Sequence, residues 1–287
     1  MSTRLSRPAG NSSAKGSIPP LLRWAGSKRK LLPTLSSFCP AEFGTYIEPF
    51  AGSACLFFHL RPGKAVLGDF NQPLIEMYQN VAAQPKAIIN RLSKFPTTDE
   101  FYYRLRKVRA DSLKPLDRAA RFIYLNRFCF NGVFRTNRSG EFNVPKGTKT
   151  GVLPGLPELE LISSALHHAR LVATDFEATV EHAGAGDLVY LDPPYSLSED
   201  RHRGEYGYGG FSSHDLPRLE RALQMLDKRG AHFLLSYRCS KAVRDRYAAW
   251  HQRTLTVRRH VAGFSEDRRN VREMLISNRP FSSGATR

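Results

Sequence analysis

Apolar residues in this chain gather in two ways: as short compact runs, and as longer stretches in which they recur every three or four positions. Residues 188–191 are the clearest short run, Leu-Val-Tyr-Leu bounded by Asp187 and by two prolines, which is the pattern of a strand buried on both faces. Residues 46–48, 65–69, 170–174 and 231–236 also read as strands. Helical patterns cover 53–60, 73–83, 85–95, 156–169 and 213–228, the last capped by Ser213 or Asp215. Strands separated by one helix favour parallel neighbours, so the reading is α/β. Near the end of the chain, 254–262 and 271–277 alternate and read as a hairpin closing around 263–270.

Three stretches depart from that rhythm. Residues 1–17 are rich in Ser, Arg, Gly and Asn with little to bury, and read as a disordered basic arm. From 94 onward basic residues crowd into two amphipathic helices, near 99–110 and 116–128, followed by a hairpin over 133–145 that turns at Asn137 to Gly140. Residues 196–211, rich in Gly, Tyr and charge, read as a lid that orders over a substrate. The organisation expected is a catalytic sheet built from 18–93 and 157–287, with 94–156 inserted between them.

Charge adds a partner to this outline. The 287 residues carry 43 Lys and Arg against 26 Asp and Glu, a net charge of +17. Such an excess points to a polyanion, nucleic acid before membrane, or else to a solvated basic surface. The 41% hydrophobic content excludes disorder throughout. No apolar run approaches the roughly 18 residues of a membrane span, and no secretory signal is visible. Cys39, Cys55, Cys129 and Cys239 lack metal-type spacing and read as reduced core thiols, so the expected compartment is cytoplasmic.

The candidate chemistry sits where the 188–191 strand stops, at Asp192-Pro193-Pro194-Tyr195. Two prolines cannot donate to a ladder, which leaves Asp192 at the strand's carboxyl end, where ligands of open α/β sheets bind. Asp192 and the Pro193 carbonyl can each accept one hydrogen of an exocyclic amine. They thereby draw its nitrogen toward sp³ geometry for attack on an electrophilic methyl, while Tyr195 stacks on the base. The bland alternative is a stiff turn after a strand.

Other candidates surround it. Glu48 ends a strand that turns through Phe50 and Gly52, where backbone approaches a ligand closely. The G-x-G-x-x-G dinucleotide pattern is absent, which argues against NAD or FAD and leaves a smaller adenosine-containing ligand. Asp69 and Phe70 then stand where a βαβ site holds a ribose and an adenine face, unless Asp69 is a helix cap. Asp175 and Phe176 line the same adenine, or are a strand-end acid and a core aromatic. Trp24 and Lys28 precede a helical stretch whose N-terminus offers free N–H groups to a carboxylate. A second basic group, including Arg258, Arg259 and Arg272, surrounds the last turn as a phosphate-facing cluster.

Six blocks then coincide in order: Arg23-Trp-Ala-Gly-Ser-Lys28, Tyr46-Ile-Glu-Pro-Phe-Ala-Gly-Ser53, Gly68-Asp-Phe-Asn71, Leu125-Asn-Arg-Phe-Cys-Phe-Asn-Gly132, Gly140-Glu-Phe-Asn-Val-Pro145 and Tyr190-Leu-Asp-Pro-Pro-Tyr195. With them the chain resembles, over about residues 20 to 280, the Dam-type (D12 class) N6-adenine DNA methyltransferases of bacteria and phages. The resemblance implies a Rossmann-like methyltransferase fold with a mixed seven-stranded sheet plus a target-recognition insert. It implies S-adenosylmethionine as methyl donor, bound by Trp24, Lys28, Asp69 and Asp192, and double-stranded DNA as partner, with the adenine flipped out of the duplex. It implies a monomer acting on DNA, with either a housekeeping or a restriction-modification role. In members that read GATC, the arginine matched by Arg135 contacts guanine, flanked by positions matched by Val133 and Pro145. Arg23, Arg127, Phe130, Asn131, Asn137, Arg138 and Lys149 complete the expected DNA-facing set.

The chain also departs from that pattern. Lys149 stands where the family has an aromatic, Phe130 precedes Asn131 in place of Tyr, and Leu235-Ser-Tyr237 replaces an expected Asn-His, so the recognised sequence is open between GATC and another site. No Pro-Cys dipeptide occurs, which excludes cytosine-C5 methylation. N4-cytosine or RNA-adenine methylation and a catalytically silent DNA-binding module remain as alternatives.

Overall fold

The computed structural model describes residues 18–137, 139–195, 211–258 and 270–281, with main chain only at 257–258 and 270–271. Its centre is a mixed seven-stranded sheet. In chain order the strands are β1 (Tyr46–Glu48), β2 (Ala65–Asp69), β3 (Ala169–Ala173), β4 (Leu188–Leu191), β5 (His232–Arg238), β6 (His251–Arg258) and β7 (Asn270–Ser277). In space they lie β3-β2-β1-β4-β5-β7-β6. The first five are parallel, and β7 enters antiparallel between β5 and β6. The strand order therefore reverses between β1 and β4, and at such a switch point the loops leaving the two strands part to open a crevice.

Alternation along each strand sorts side chains onto two faces. Tyr46, Leu188, Tyr190, Leu234 and Leu275 join one buried cluster, while Ile47, Val189, Leu191, Phe233, Leu235 and Ile276 join the other. The second face is covered by α8 (Phe176–Val180), α9 (Leu216–Lys228) and α10 (Lys241–Arg246) through Val180, Leu219, Leu223 and Val243. The first is covered by α1 (Leu32–Ser37), α2 (Cys55–Leu60), α3 (Gln72–Ala83), α4 (Pro85–Leu92) and α7 (Leu156–Leu166). Two further helices, α5 (Asp99–Lys107) and α6 (Pro115–Phe128), contribute Tyr102, Ile123 and Tyr124 to that same cluster, so the segment 94–156 is joined to the sheet by continuous core.

Differences from the sequence reading have local causes. Helix α2 begins at Cys55 because Ala54 is left-handed, at φ 47°. Helix α9 is preceded by a 3-10 turn, Ser213–Asp215, whose capping box is formed by Ser212 with Asp215, one residue before the expected cap. Asp69 caps no helix, since the Asn71 side chain accepts from Leu74 N at the start of α3. Strand β6 starts at His251, ahead of the expected 254. Helices α8 and α10 were not anticipated.

The 133–145 hairpin turns where expected, with Gly140 N donating to Asn137 O at 3.0 Å, but among the described residues its arms form no ladder inside that span beyond one isolated β-bridge, Thr136↔Phe142. Asn137 Oδ1 accepts from the N–H groups of both Ser139 and Glu141, a local arrangement that competes with a ladder. The arm 1–17, Arg138, the span 196–210, and Arg259 with the rest of 259–269 lie outside the described residues. The four cysteines are free thiols. Among the described residues no helix is long and apolar enough to cross a membrane.

Candidate active site

A cleft of about 800 Å³ opens at the carboxyl ends of β1, β2 and β4, lined by residues from all six sequence blocks except Gly140 to Pro145. Strand β4 is buried at all four positions and stops at the prolines, so Asp192 reaches the cleft floor from a strand that cannot shift. Its Oδ1 accepts from Lys28 Nζ at 2.6 Å. Lys28 is 6% exposed and also lies 3.3 Å from Glu273 Oε1 and from the Tyr195 hydroxyl. Burial opposes its ammonium, but the Asp192 carboxylate, the Tyr195 hydroxyl oxygen and the Glu273 carboxylate outweigh that and raise its pKa, so the ammonium persists. Sequence reading gave Lys28 to a ligand's carboxylate; in the structure the ammonium is turned to Asp192 and Glu273.

Glu273, on β7 and 2% exposed, is the residue that sequence reasoning missed. Its Oε1 accepts from Tyr195 OH at 2.5 Å and from Ser236 Oγ at 2.7 Å. These bonds hold the Tyr195 ring over the floor, edge-on to Tyr237 at 5.5 Å. The available signal was one acid directly ahead of an apolar run, Met274-Leu-Ile276, on a strand already expected to pair.

Above this network lies the glycine turn. Gly52 has φ +46°, and a Cβ there would stand 2.8 Å from Trp24 Nε1, so Trp24 closes directly over bare backbone. Gly52 O accepts from Tyr78 OH at 2.9 Å and Gly52 N donates to Asp69 Oδ2 at 3.0 Å. The other Asp69 oxygen accepts from Asn71 N at 2.9 Å. Burial lifts the Asp69 carboxyl to about 6, against those two N–H groups, which lower it. Glu48 is buried at the end of β1, and its carboxyl is pushed up by burial, against the pull of a 2.8 Å bond from Tyr46 OH. Phe70 is 61% exposed beside this turn, an apolar face without cover on one side.

The far wall is aromatic. Phe50 stacks on Phe176 at 5.4 Å and 26°, and Phe211 packs edge-on to Phe50 at 5.7 Å. Asp175 caps α8 through Glu177 N and receives Arg218 Nη2 at 2.7 Å. Arg218, also missed in the sequence, bonds Glu177 and Asp215 as well and lies 4.9 Å over the Phe176 ring, fixing this wall from α9.

The residues expected to face DNA divide into two groups. Arg23, Arg127, Phe130, Asn131 and Val133 line the cleft mouth. There Arg23 is locked to α6, its main chain exchanging two hydrogen bonds with the Asn126 carboxamide and its Nη1 donating to Arg127 O at 3.2 Å. Arg127 pairs with Glu158 at 3.1 Å. Arg135, Asn137, Pro145 and Lys149 stand away from the cleft on the hairpin and the loop beyond it; Arg135 Nε donates to Asn143 Oδ1 at 2.8 Å, and Pro145 and Lys149 are exposed. Phe134 links the two groups, stacking on Trp24 at 6.2 Å and on Phe122 at 5.1 Å. For Arg258 only main chain is described.

The family model for D12 class N6 adenine-specific DNA methyltransferases matches residues 24–261. A type II methyltransferase of Lactococcus lactis subsp. cremoris is 34% identical over 276 residues, which is 92% of this chain and 96% of that protein. A DNA adenine methylase of Serratia marcescens is 32% identical, covering 88% and 96% of the two chains. The DNA adenine methylase of Haemophilus influenzae is 30% identical, covering 89% and 92%.

Proposed function

This chain belongs to the D12 class of N6 adenine-specific DNA methyltransferases, and from that premise we propose that the cleft binds S-adenosylmethionine and that Asp192 and Pro193 activate the adenine amine. The observation that carries the mechanism is Asp192 itself, fixed on the cleft floor by a buried strand and two prolines, with the Pro193 carbonyl one residue on.

The residues present suit such a donor. The bare backbone at Gly52 lets the Trp24 ring close on the cleft wall, Asp69 offers a carboxylate to ribose hydroxyls, and the exposed ring of Phe70 and the Phe50–Phe176 wall offer apolar faces to an adenine. When bound, S-adenosylmethionine supplies an electrophilic methyl group. Everything else is asked of the protein. Asp192 and the Pro193 carbonyl each accept one amine hydrogen, Tyr195 stacks on the base, and the carboxylates beneath offset the positive charge that grows on N6 as the methyl arrives.

A base must leave the duplex to reach a floor this enclosed, so the target adenine is flipped. The hairpin carrying Arg135, with Val133 and Pro145 beside it, reads the flanking bases, and a guanine contact through Arg135 makes GATC the site to test first. The protein works as a monomer on duplex DNA in the cytoplasm. The experiment is to express the chain in a host lacking adenine methylation and map modified bases at single-nucleotide resolution. N6-methyladenine at one short recurring site is the expected result. Unmodified DNA from cells containing soluble protein would overturn it, and a recurring site other than GATC would overturn the Arg135 assignment alone.

A further inference from the structure

Asp192 is bound to a buried ammonium, which raises a question for the mechanism. A carboxylate 2.6 Å from Lys28 Nζ is half of a neutral pair, and a neutral pair attracts a growing positive charge weakly. Glu273 changes that balance. Its carboxylate is buried, shares the same Nζ at 3.3 Å, and adds a second negative charge to the group. Two carboxylates against one ammonium leave the floor net negative where N6 would sit. Glu273 also accepts from Tyr195 OH and Ser236 Oγ, so the same atom sets the charge and the ring position.

We propose that Glu273 is a positioning residue for methyl transfer, drawing on Lys28 so that Asp192 remains electrostatically competent and anchoring Tyr195 over the target base. This rests on the reading of Asp192 given above. Glu273 is a β7 residue outside the sequence blocks that carry the chemistry, and it reaches the reacting atoms through Lys28 and Tyr195.

The test is single-turnover methyl transfer at saturating donor and DNA, with both dissociation constants measured alongside. Glu273→Gln keeps the shape and an acceptor for Tyr195 but removes the charge. It is expected to slow transfer roughly 30-fold while both dissociation constants stay within about threefold. Glu273→Asp, which keeps the charge, recovers part of that loss. The sharper variant is Lys28→Gln combined with Glu273→Gln, which restores the net negative charge on Asp192 alone and is expected to transfer faster than Glu273→Gln. A purely structural role makes the double variant slower than either single one, and that result overturns the proposal, as does wild-type transfer by Glu273→Gln. If Glu273→Gln does not fold, Tyr195→Phe still tests the anchoring, and an unchanged rate there overturns it. Failure of the parent protein to methylate adenine would instead overturn the underlying reading of Asp192.

Discussion

At the Asp192 end of the cleft, Lys28 Nζ gathers Asp192, Tyr195 and Glu273, from two other parts of the chain, within 3.3 Å of itself, and Lys28 and Glu273 are almost wholly buried. The 133–145 hairpin is the reverse case. Its side-chain contacts at the turn, Arg135 to Asn143 and Asn137 to Glu141, are local and exposed, and it is held to the body at its base, by Phe134 and Phe142 in the core and by Val144 O, which accepts from Tyr102 OH and Arg106 Nη1. Fixed charge in a dry pocket stabilises a developing cation without reorganising. Base edges in a groove need side chains that can reach out and adjust. The first region therefore suits a reaction and the second a recognition surface, and the two respond differently to substitution.

The largest effect belongs to Asp192→Ala. It removes an amine-hydrogen acceptor and leaves Lys28 beside Glu273 alone, so methyl transfer should fall by about three orders of magnitude or more, while DNA affinity, set elsewhere, stays near its original value. Rates within tenfold of the parent would break the division between the two regions. Gly52→Ala comes next. A left-handed alanine costs about 1–2 kcal/mol, and its Cβ would drive the Trp24 ring aside, so donor binding should weaken roughly 50-fold with the hairpin's base preference unchanged.

Arg135→Ala probes the other region. On the proposed contact, discrimination against a wrong base should drop by about 1–3 kcal/mol, with the maximal rate on the best site nearly unchanged. Uniform weakening on every sequence would make Arg135 a phosphate contact.

The same contrast governs what the sequence revealed. Buried strands and the Asp192 turn were legible because apolar runs and prolines act through local chemistry, and four of the six blocks hold Trp24, Gly52, Asp69 and Asp192, which line one cleft. Glu273 and Arg218 were not legible, because their roles arise from strand insertion and helix packing that join residues 28 with 273 and 175 with 218. The hairpin was overread as two strands, since alternation gives no weight to an Asn137 side chain that takes two main-chain N–H groups for itself.

The smallest effect is one of pH, and it should be confined to the cleft. Burial raises Asp69 from 3.8 to about 6 in the folded protein without donor. A carboxyl raised in this way binds its proton more tightly when folded. Its contribution to stability is therefore complete below about 3.8 and is lost as pH rises through about 6. The stability of Asp69→Asn relative to the parent should accordingly improve between pH 4 and 7. If ribose hydroxyls need the ionised form, donor affinity follows the opposite course, falling by up to about tenfold from pH 7 to pH 5 in the parent and remaining flat in Asp69→Asn. Binding titrations of both proteins at the two pH values check this. Parallel losses in both would assign the pH sensitivity to another group in the cleft, and a loss of sequence preference over the same range would show that the hairpin titrates too.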